Sequence, residues 1–334
     1  MFSLLKIGKS QRSRAATPKA ASASTNENSY GLKRLFDEIN YEHACLSAAR
    51  DPNLQSSPEA HIAAWNKVCE VLPDAADGPE GLCYALSRHN RLDEAEAVIA
   101  AARRRWPGDG RLAVAEAQAR VRRSTPAETD RIWSKLYDEF PLRIIGYIEG
   151  AKAARAVGDI ARADGMLEAG CQKFPKYLEM IVAYARAAME DQRWETALDR
   201  WRLVKERFPS RPESFIGTLG ALNALRRFDE ADTFSLTATR EFPLNTEVRA
   251  AHARTSAGRG DIAEARRRWQ LVRDWCPSSP IGWLGEVNLL RWNRMTAELE
   301  AILRDGASRF PDIPEFQSAN AALQPQTATI TVPS

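Results

Sequence analysis

Hydrophobic residues recur at helical spacing in two successive segments between Pro175 and Pro209. The first segment, YLEMIVAYARAAMED, carries its apolar residues at positions that share one face of an α-helix, namely Ile181, Tyr184, Ala185 and Ala188. The second segment, WETALDRWRLVKERF, does the same with Trp194, Ala197, Leu198, Trp201 and Val204. Only the dipeptide QR separates the two segments. The pattern predicts two amphipathic helices that pack as an antiparallel hairpin.

This arrangement returns every 34 residues, and its most regular marker is a proline. The prolines of this series are Pro73, Pro107, Pro141, Pro175, Pro209, Pro243, Pro277 and Pro311. Proline makes up about 5% of an average protein, so eight members at one spacing indicate a true internal repeat. Proline also disfavours helical geometry in the residue before it, and we therefore expect the second helix of each hairpin to end there.

Two further series follow the same register. Small residues lie twelve positions before the proline in five units and predict close approach of another helix; they are Ala95, Ala163, Ala197, Ala231 and Ala265. Tryptophans lie 68 residues apart, in every second unit, at Trp65, Trp133, Trp201 and Trp269. The doubled spacing indicates that a module of two hairpins was duplicated. We expect these tryptophans to form the core between repeats.

The 34-residue period, the proline near the end of the unit and the alanine before it resemble the tetratricopeptide repeat (TPR) proteins. The resemblance implies an all-α fold, a right-handed α-solenoid of stacked antiparallel helix hairpins, with about seven to eight TPR-like units over residues 57–320. The tryptophan and glycine typical of the first helix in that family are mostly absent. Neighbouring α-solenoid families therefore also fit the pattern.

The ends of the chain lack the repeat. Residues 1–30 are rich in Ser, Ala, Thr and Asn and predict a disordered basic tail, although an organelle transit peptide has a similar composition. Residues 31–56 predict an N-terminal helix and linker, and residues 321–334 a flexible C-terminal tail. The formal net charge is +3, and the five basic residues and one acidic residue of the tail leave −1 for residues 31–334. This charge balance argues against nucleic-acid binding.

The residues that carry chemistry are dispersed along the chain. No two of the five cysteines lie within thirteen residues of each other, and the four histidines are equally scattered. This spacing predicts neither a metal site nor a disulfide framework, and it favours a reducing, cytoplasmic location. The sequence also lacks a glycine-rich phosphate loop and the common hydrolase motifs. We therefore expect a non-enzymatic protein without a cofactor, and no apolar run is long enough to span a membrane.

The resemblance places a partner-binding groove along the first helices of the hairpins. Family positions carried over onto this sequence combine an apolar row, including Ile148 and Val182, with cationic, amide and aromatic residues. The predicted groove residues are Tyr84, Gln118, Arg122, Lys152, Arg155, Arg186, Asn223, Arg254 and Asn288. Such a surface suits an extended peptide with acidic side chains or a free carboxylate.

The resulting hypothesis is a protein–protein interaction scaffold or adaptor that binds a peptide or partner protein in the groove, with no small-molecule substrate and no nucleic acid. Two alternatives stay open. One is an accessory module of a polysaccharide-biosynthesis, glycosyltransferase or secretion assembly, which only the resemblance suggests. The other is an RNA-binding helical-repeat protein, against which the charge balance and the lack of regular groove aromatics argue. The sequence leaves the oligomeric state open.

Overall fold

The computed structural model describes residues 41–317, which form two compact units divided between Ser124 and Thr125. Within these residues the regular structure is entirely helical. The first unit contains helical residues 41–49, a 3₁₀ helix at Pro52–Ser56, and α1 (Pro58–Val71), α2 (Asp77–Arg88), α3 (Leu92–Arg105) and α4 (Gly110–Val121). The predicted tails, residues 1–30 and 321–334, lie outside the described residues.

The second unit contains the remaining helices of the 34-residue series. They are α5 (Pro126–Glu139), α6 (Ile144–Ala156), α7 (Ile160–Lys173), α8 (Leu178–Glu190), α9 (Trp194–Arg207), α10 (Pro212–Ala224), α11 (Phe228–Glu241), α12 (Thr246–Arg259), α13 (Ile262–Trp275), α14 (Ile281–Trp292) and α15 (Thr296–Arg309). Residues 314–317 begin a further helical turn. The prediction of a single repeat domain over residues 57–320 stays a prediction.

The helices pack in two layers within each unit. Within each unit, each numbered helix contacts the next one along the chain. The first helices of successive hairpins also contact one another, α2 with α4 in the first unit, and α6, α8, α10, α12 and α14 in series in the second. We call the latter series the first-helix layer. This order of contacts is that of an α-solenoid and confirms the predicted fold class.

The prolines end the second helices as predicted. The residue before each proline caps the helix, and its backbone N–H donates to the carbonyl four positions earlier, as Phe208 does to Val204 at 2.9 Å. The following helix then starts within a few residues. Pro212 opens α10, where its missing N–H leaves no hydrogen bond unmade, and Pro280 directly precedes α14.

Six of the turns between the two helices of a hairpin contain a left-handed residue. Gly158 and Gly260 adopt φ values of 86° and 87°, and the aspartate after each of them caps the next helix through its carboxylate. At the same turn position Asn90, Gln192, Arg226 and Arg294 have φ values of 57° to 61°. Because a side chain disfavours this geometry, these four turns cost the fold roughly 1 kcal/mol each.

The alanine and tryptophan series form the core between hairpins. All five alanines are fully buried, and the four tryptophans are 3% to 7% exposed. Three of the tryptophans lie against a glycine of the following first helix, Trp65 on Gly81, Trp201 on Gly217 and Trp269 on Gly285. A Cβ atom at Gly217 would lie 2.1 Å from Trp201 Cε2, so the indole occupies the space that a side chain would need.

Buried ion pairs repeat with the same doubled spacing. Asp164 on α7 accepts from Arg200 on α9, whose Nη1 also donates to the carbonyl of Tyr184 at 2.9 Å. Two hairpins later, Asp232 accepts from Arg268, whose Nη1 donates to the carbonyl of His252 at 3.0 Å. Each residue of the second set lies 68 positions after its counterpart. These matching contacts agree with the duplication of a two-hairpin module.

Candidate functional site

A cleft of about 310 Å³ opens on the first-helix layer between α6 and α8, and we call it the α6–α8 cleft. Its lining includes Ile148 and Val182, which lie at equivalent positions of their two helices and are 6% and 7% exposed. The apolar row and the cationic row that the sequence placed on neighbouring helical positions therefore line the same cleft. The arrangement follows from helical periodicity, since residues four apart lie on one face.

The rim of the α6–α8 cleft is charged and mixed. Three cations, Lys152, Arg155 and Arg186, lie there with three carboxylates, Glu149, Glu179 and Glu190. Lys152 Nζ donates to Glu149 Oε1 at 2.6 Å on the surface of α6. An exposed pair of this kind contributes between 0 and about 1 kcal/mol, so a partner can replace it at little cost.

Arg155 is held more firmly than its neighbours. Its Nη2 lies 2.7 Å from Asp191 Oδ1 and 3.2 Å from Glu190 Oε2, and its side chain is only 13% exposed. Asp191 is equally buried and also accepts from Arg193 at 2.8 Å. Arg155 thus ties α6 to the turn after α8. Its charge is largely neutralised before any partner arrives.

Arg186 is the most available cation of the cleft. Its side chain is exposed and forms no hydrogen bond or ion pair with another residue in 41–317. Its field nevertheless reaches the start of α10. Burial raises the pKa of Glu213, but its hydrogen bond to Arg211 and the charges of Arg211 and Arg186 outweigh this effect and lower the pKa overall.

A second cleft of about 520 Å³ lies between α12 and α14, and we call it the α12–α14 cleft. Ile281, Leu284 and Leu289 line it, and Trp292 stands at the end of α14 with 88% of its surface exposed. The charged residues of its lining are Arg254 and Glu247, whose side chains pair at 3.1 Å. Its other polar groups are the side-chain amides of Asn288 and Asn293 and the indole N–H groups of Trp269 and Trp292, and the buried Trp269 N–H has no hydrogen-bond partner in 41–317.

The structure brings together five of the nine predicted groove residues. Lys152, Arg155 and Arg186 share the α6–α8 cleft, and Arg254 and Asn288 share the α12–α14 cleft. Asn223, on α10, is half-buried and its Nδ2 donates to Thr255 Oγ1 of α12 at 3.2 Å, so it joins two hairpins. The other three belong to the first unit, where they are exposed on or directly after α2 and α4, namely Tyr84, Gln118 and Arg122.

Sequence reasoning missed Trp292. The equivalent positions of the other hairpins hold polar or small residues, Arg88, Arg122, Ala156, Glu190, Ala224 and Gly258. Because other hairpins hold charged residues or glycine at this position, the core does not need a tryptophan there. That comparison could have identified it from the sequence, because the core tryptophans follow a different series.

The buried titratable groups serve packing. Ser235 is fully buried, and its hydroxyl lies 2.6 Å from His252 Nδ1, so a substrate cannot reach this serine–histidine contact. Burial first, and then the charge of Arg268, lowers the pKa of His252 to about 4, which keeps the imidazole neutral. Among residues 41–317 no group of three His, Cys, Asp or Glu side chains could hold a metal ion.

Comparison with known proteins identifies the fold. No family model matches the sequence, and no curated protein sequence matches it. A solved structure of a tetratricopeptide repeat protein from Parabacteroides merdae is 12% identical, with a TM-score of 0.53, covering 76% of this chain and 96% of the other. The C-terminal part of a TPR repeat-containing protein from Cytophaga hutchinsonii is also 12% identical, with a TM-score of 0.50, covering 72% and 98%.

The architecture is therefore an α-solenoid of helix hairpins. More narrowly, it is the fold of the TPR proteins, as the 34-residue period indicated. At this low identity the likeness concerns the fold alone. Among the residues that the structure describes, no helix is both long and apolar enough to cross a bilayer.

Proposed function

We propose that the protein is a non-enzymatic scaffold or adaptor that binds an extended peptide segment of a partner protein along its first helices. The observation that supports this most strongly is the α6–α8 cleft, where buried apolar side chains lie beneath the exposed cations Lys152 and Arg186. α-Solenoids commonly use such extended surfaces for binding.

The cation of the cleft that is unpaired within 41–317, Arg186, suits an acidic group in the ligand, while the exposed Glu179 keeps the charge of the rim mixed. Arg186 has a guanidinium without a partner among residues 41–317, and Lys152 has only a weak surface pair. A carboxylate of the ligand near Arg186 would form a charge-assisted hydrogen bond, typically worth about 1.5–3 kcal/mol. Ile148 and Val182 would meanwhile contact the apolar part of the ligand. A mixed segment, with both apolar and acidic residues, fits this surface best.

A reducing compartment such as the cytoplasm is part of this proposal. Burial raises the pKa of the Cys83 and Cys171 thiols to about 11, so they stay protonated at neutral pH. All five cysteines are free thiols. Cysteines that serve only as small apolar side chains do not need an oxidising environment, because they form no disulfide that stabilises the fold.

The experiment is capture of the binding partner from the native cell, followed by titration of the purified partner against variants. We expect Arg186→Ala to weaken binding roughly 10- to 100-fold, the loss of one charged hydrogen bond. Arg202→Ala is the control, because Arg202 is also an exposed arginine but lies on the second helix α9. Equal affinity of the Arg186→Ala, Lys152→Ala double variant and the wild type would refute the proposed surface.

A further inference from the structure

We propose that the α12–α14 cleft is the anchoring subsite of this surface, and that it takes one bulky uncharged side chain of the bound peptide, aromatic or branched aliphatic, packed against Trp292. This inference rests on the proposed function, and it adds the chemical class of side chain that the partner presents.

The size and lining of the cleft suit an apolar group. Its volume of about 520 Å³ lies within the range of roughly 300–1,000 Å³ that is typical of ligand sites. Ile281, Leu284 and Leu289 supply apolar contacts along one side. A side chain that enters between them and the Trp292 ring would remove apolar surface from water on both partners.

The charge of the cleft favours neither an acidic nor a basic side chain. Arg254 and Glu247 are the charged residues of its lining, one of each sign, and they pair at 3.1 Å, so the lining carries no net charge. A charged group placed there would lose its hydration without gaining a free opposite charge. The α6–α8 cleft differs, because Arg186 lacks such a partner among residues 41–317. The two clefts therefore select different parts of one ligand.

The amide side chains at the rim suit the backbone of an extended peptide. Asn288 is exposed and forms no hydrogen bond with another residue in 41–317. Asn293 donates its Nδ2 to the carbonyl of Leu289 at 2.8 Å, which leaves its carbonyl oxygen free to accept. An amide that can both donate and accept matches the alternating N–H and C=O groups of a peptide.

Trp292 is not part of the buried core that residues 41–317 form. It is 88% exposed, whereas the core tryptophans are 3% to 7% exposed. The preceding hairpin has Gly258 at the equivalent position, and the hairpin before that has Ala224. An exposed tryptophan beside a cleft with apolar walls and no net charge is the type of residue that dominates binding energy at interfaces.

The first test uses small probes on the full chain. Isotope-labelled protein is titrated with N-acetyl-tryptophanamide or N-acetyl-leucinamide, and the indole N–H of Trp292 and the side-chain amides of Asn288 and Asn293 are followed by NMR. We expect saturable shifts at these groups. Binding should be at least tenfold weaker for the acidic probe, N-acetyl-aspartic acid α-amide with a free side-chain carboxylate, and for N-acetyl-glycinamide. Equal binding of the acidic probe, or shifts that are absent from the α12–α14 cleft, would overturn the proposal.

The second test uses the purified partner and separates this inference from the proposed function. Trp292→Ala is expected to weaken partner binding about 30-fold or more, as loss of a binding hot spot does. Trp275→Ala is the matched control, since Trp275 is 53% exposed but lies outside the cleft. If Arg186→Ala weakens binding and Trp292→Ala does not, the scaffold stands and the anchoring subsite is wrong. If neither variant weakens binding, both are wrong.

Discussion

The contact between Trp201 and Gly217 allows a quantitative test of how the hairpins pack. Replacing Gly217 with alanine would place a methyl group 2.1 Å to 2.5 Å from three atoms of an indole that is 3% exposed. A rigid buried ring cannot move aside as the end of a flexible chain can. Overpacking of this kind costs about 1–3 kcal/mol, occasionally more.

Helix propensity favours the Gly→Ala change, and its effect on the free energy of unfolding has to be separated from the cost of overpacking. Alanine is favoured over glycine in a helix interior by about 1 kcal/mol. Gly165, inside α7, is the matched control, because a Cβ atom there meets nothing within 4 Å. We expect Gly165→Ala to stabilise the protein by about 1 kcal/mol. Gly217→Ala should be less stable than Gly165→Ala by about 1–3 kcal/mol, which is the cost of overpacking alone.

The assay is urea unfolding followed by circular dichroism, with one further variant. The alternate hairpins carry Leu167 and Leu303 at the tryptophan position, so Trp201→Leu is a natural replacement. Adding Trp201→Leu to Gly217→Ala should recover at least 1 kcal/mol relative to the sum of the two single changes. Gly217→Ala as stable as Gly165→Ala, or additivity in the double variant, would refute the packing described.

Three further predictions concern charge and turns. The pKa of His252 is about 4 in the folded chain and about 6.5 in the unfolded one, so the contribution of the neutral imidazole to stability is complete above pH 6.5 and is lost towards pH 4, by about 3 kcal/mol at most. In His252→Asn the urea midpoint should therefore change less between pH 7 and pH 5 than in the wild type. The same pH dependence in both proteins would contradict this prediction. Asp164→Asn leaves the 9% exposed Arg200 side chain without its carboxylate and should lower the free energy of unfolding in urea by about 3 kcal/mol. Asp199→Asn, which breaks an exposed pair, should lower it by less than about 0.5 kcal/mol. Equal losses in the two variants would be inconsistent with burial of the Asp164–Arg200 pair. Arg226→Gly should raise the free energy of unfolding by about 1 kcal/mol, because Arg226 has a φ of 58°, which glycine adopts without strain. A loss of stability would show that the contacts of the Arg226 side chain stabilise the fold by more than its backbone strain costs.

The repeat made most of the fold predictable. Pro209 is one of eight prolines at one spacing, and the structure ends α9 at Arg207, with Phe208 as its cap, for the local reason that the sequence suggested. Ala197 and Trp201 are buried because neighbouring hairpins pack on the same face in every unit. Periodic signals of this kind are repeated along the chain, so a single exception does not obscure them.

The candidate site was predictable only in part. The resemblance to TPR proteins placed Lys152 and Arg186 in the groove along the first helices, and both line the α6–α8 cleft. Spacing alone could not distinguish Arg186 from Arg155, because the ion pair of Arg155 with Asp191 joins residues 36 positions apart. It also could not show that Trp292 is exposed, since exposure depends on what neighbouring hairpins leave uncovered.

The sequence by itself determined the helix hairpins, their 34-residue period, the ends of the second helices and the core series of alanine and tryptophan. These features depend on local geometry and on contacts that recur in each unit. Only the tertiary structure decided which charges are neutralised, which cations stay available and where the first helices leave a cleft between them. The reason is that charge neutralisation and exposure depend on the pairing of particular side chains from different hairpins, and a pair such as Arg155 with Asp191 has no counterpart in the neighbouring units.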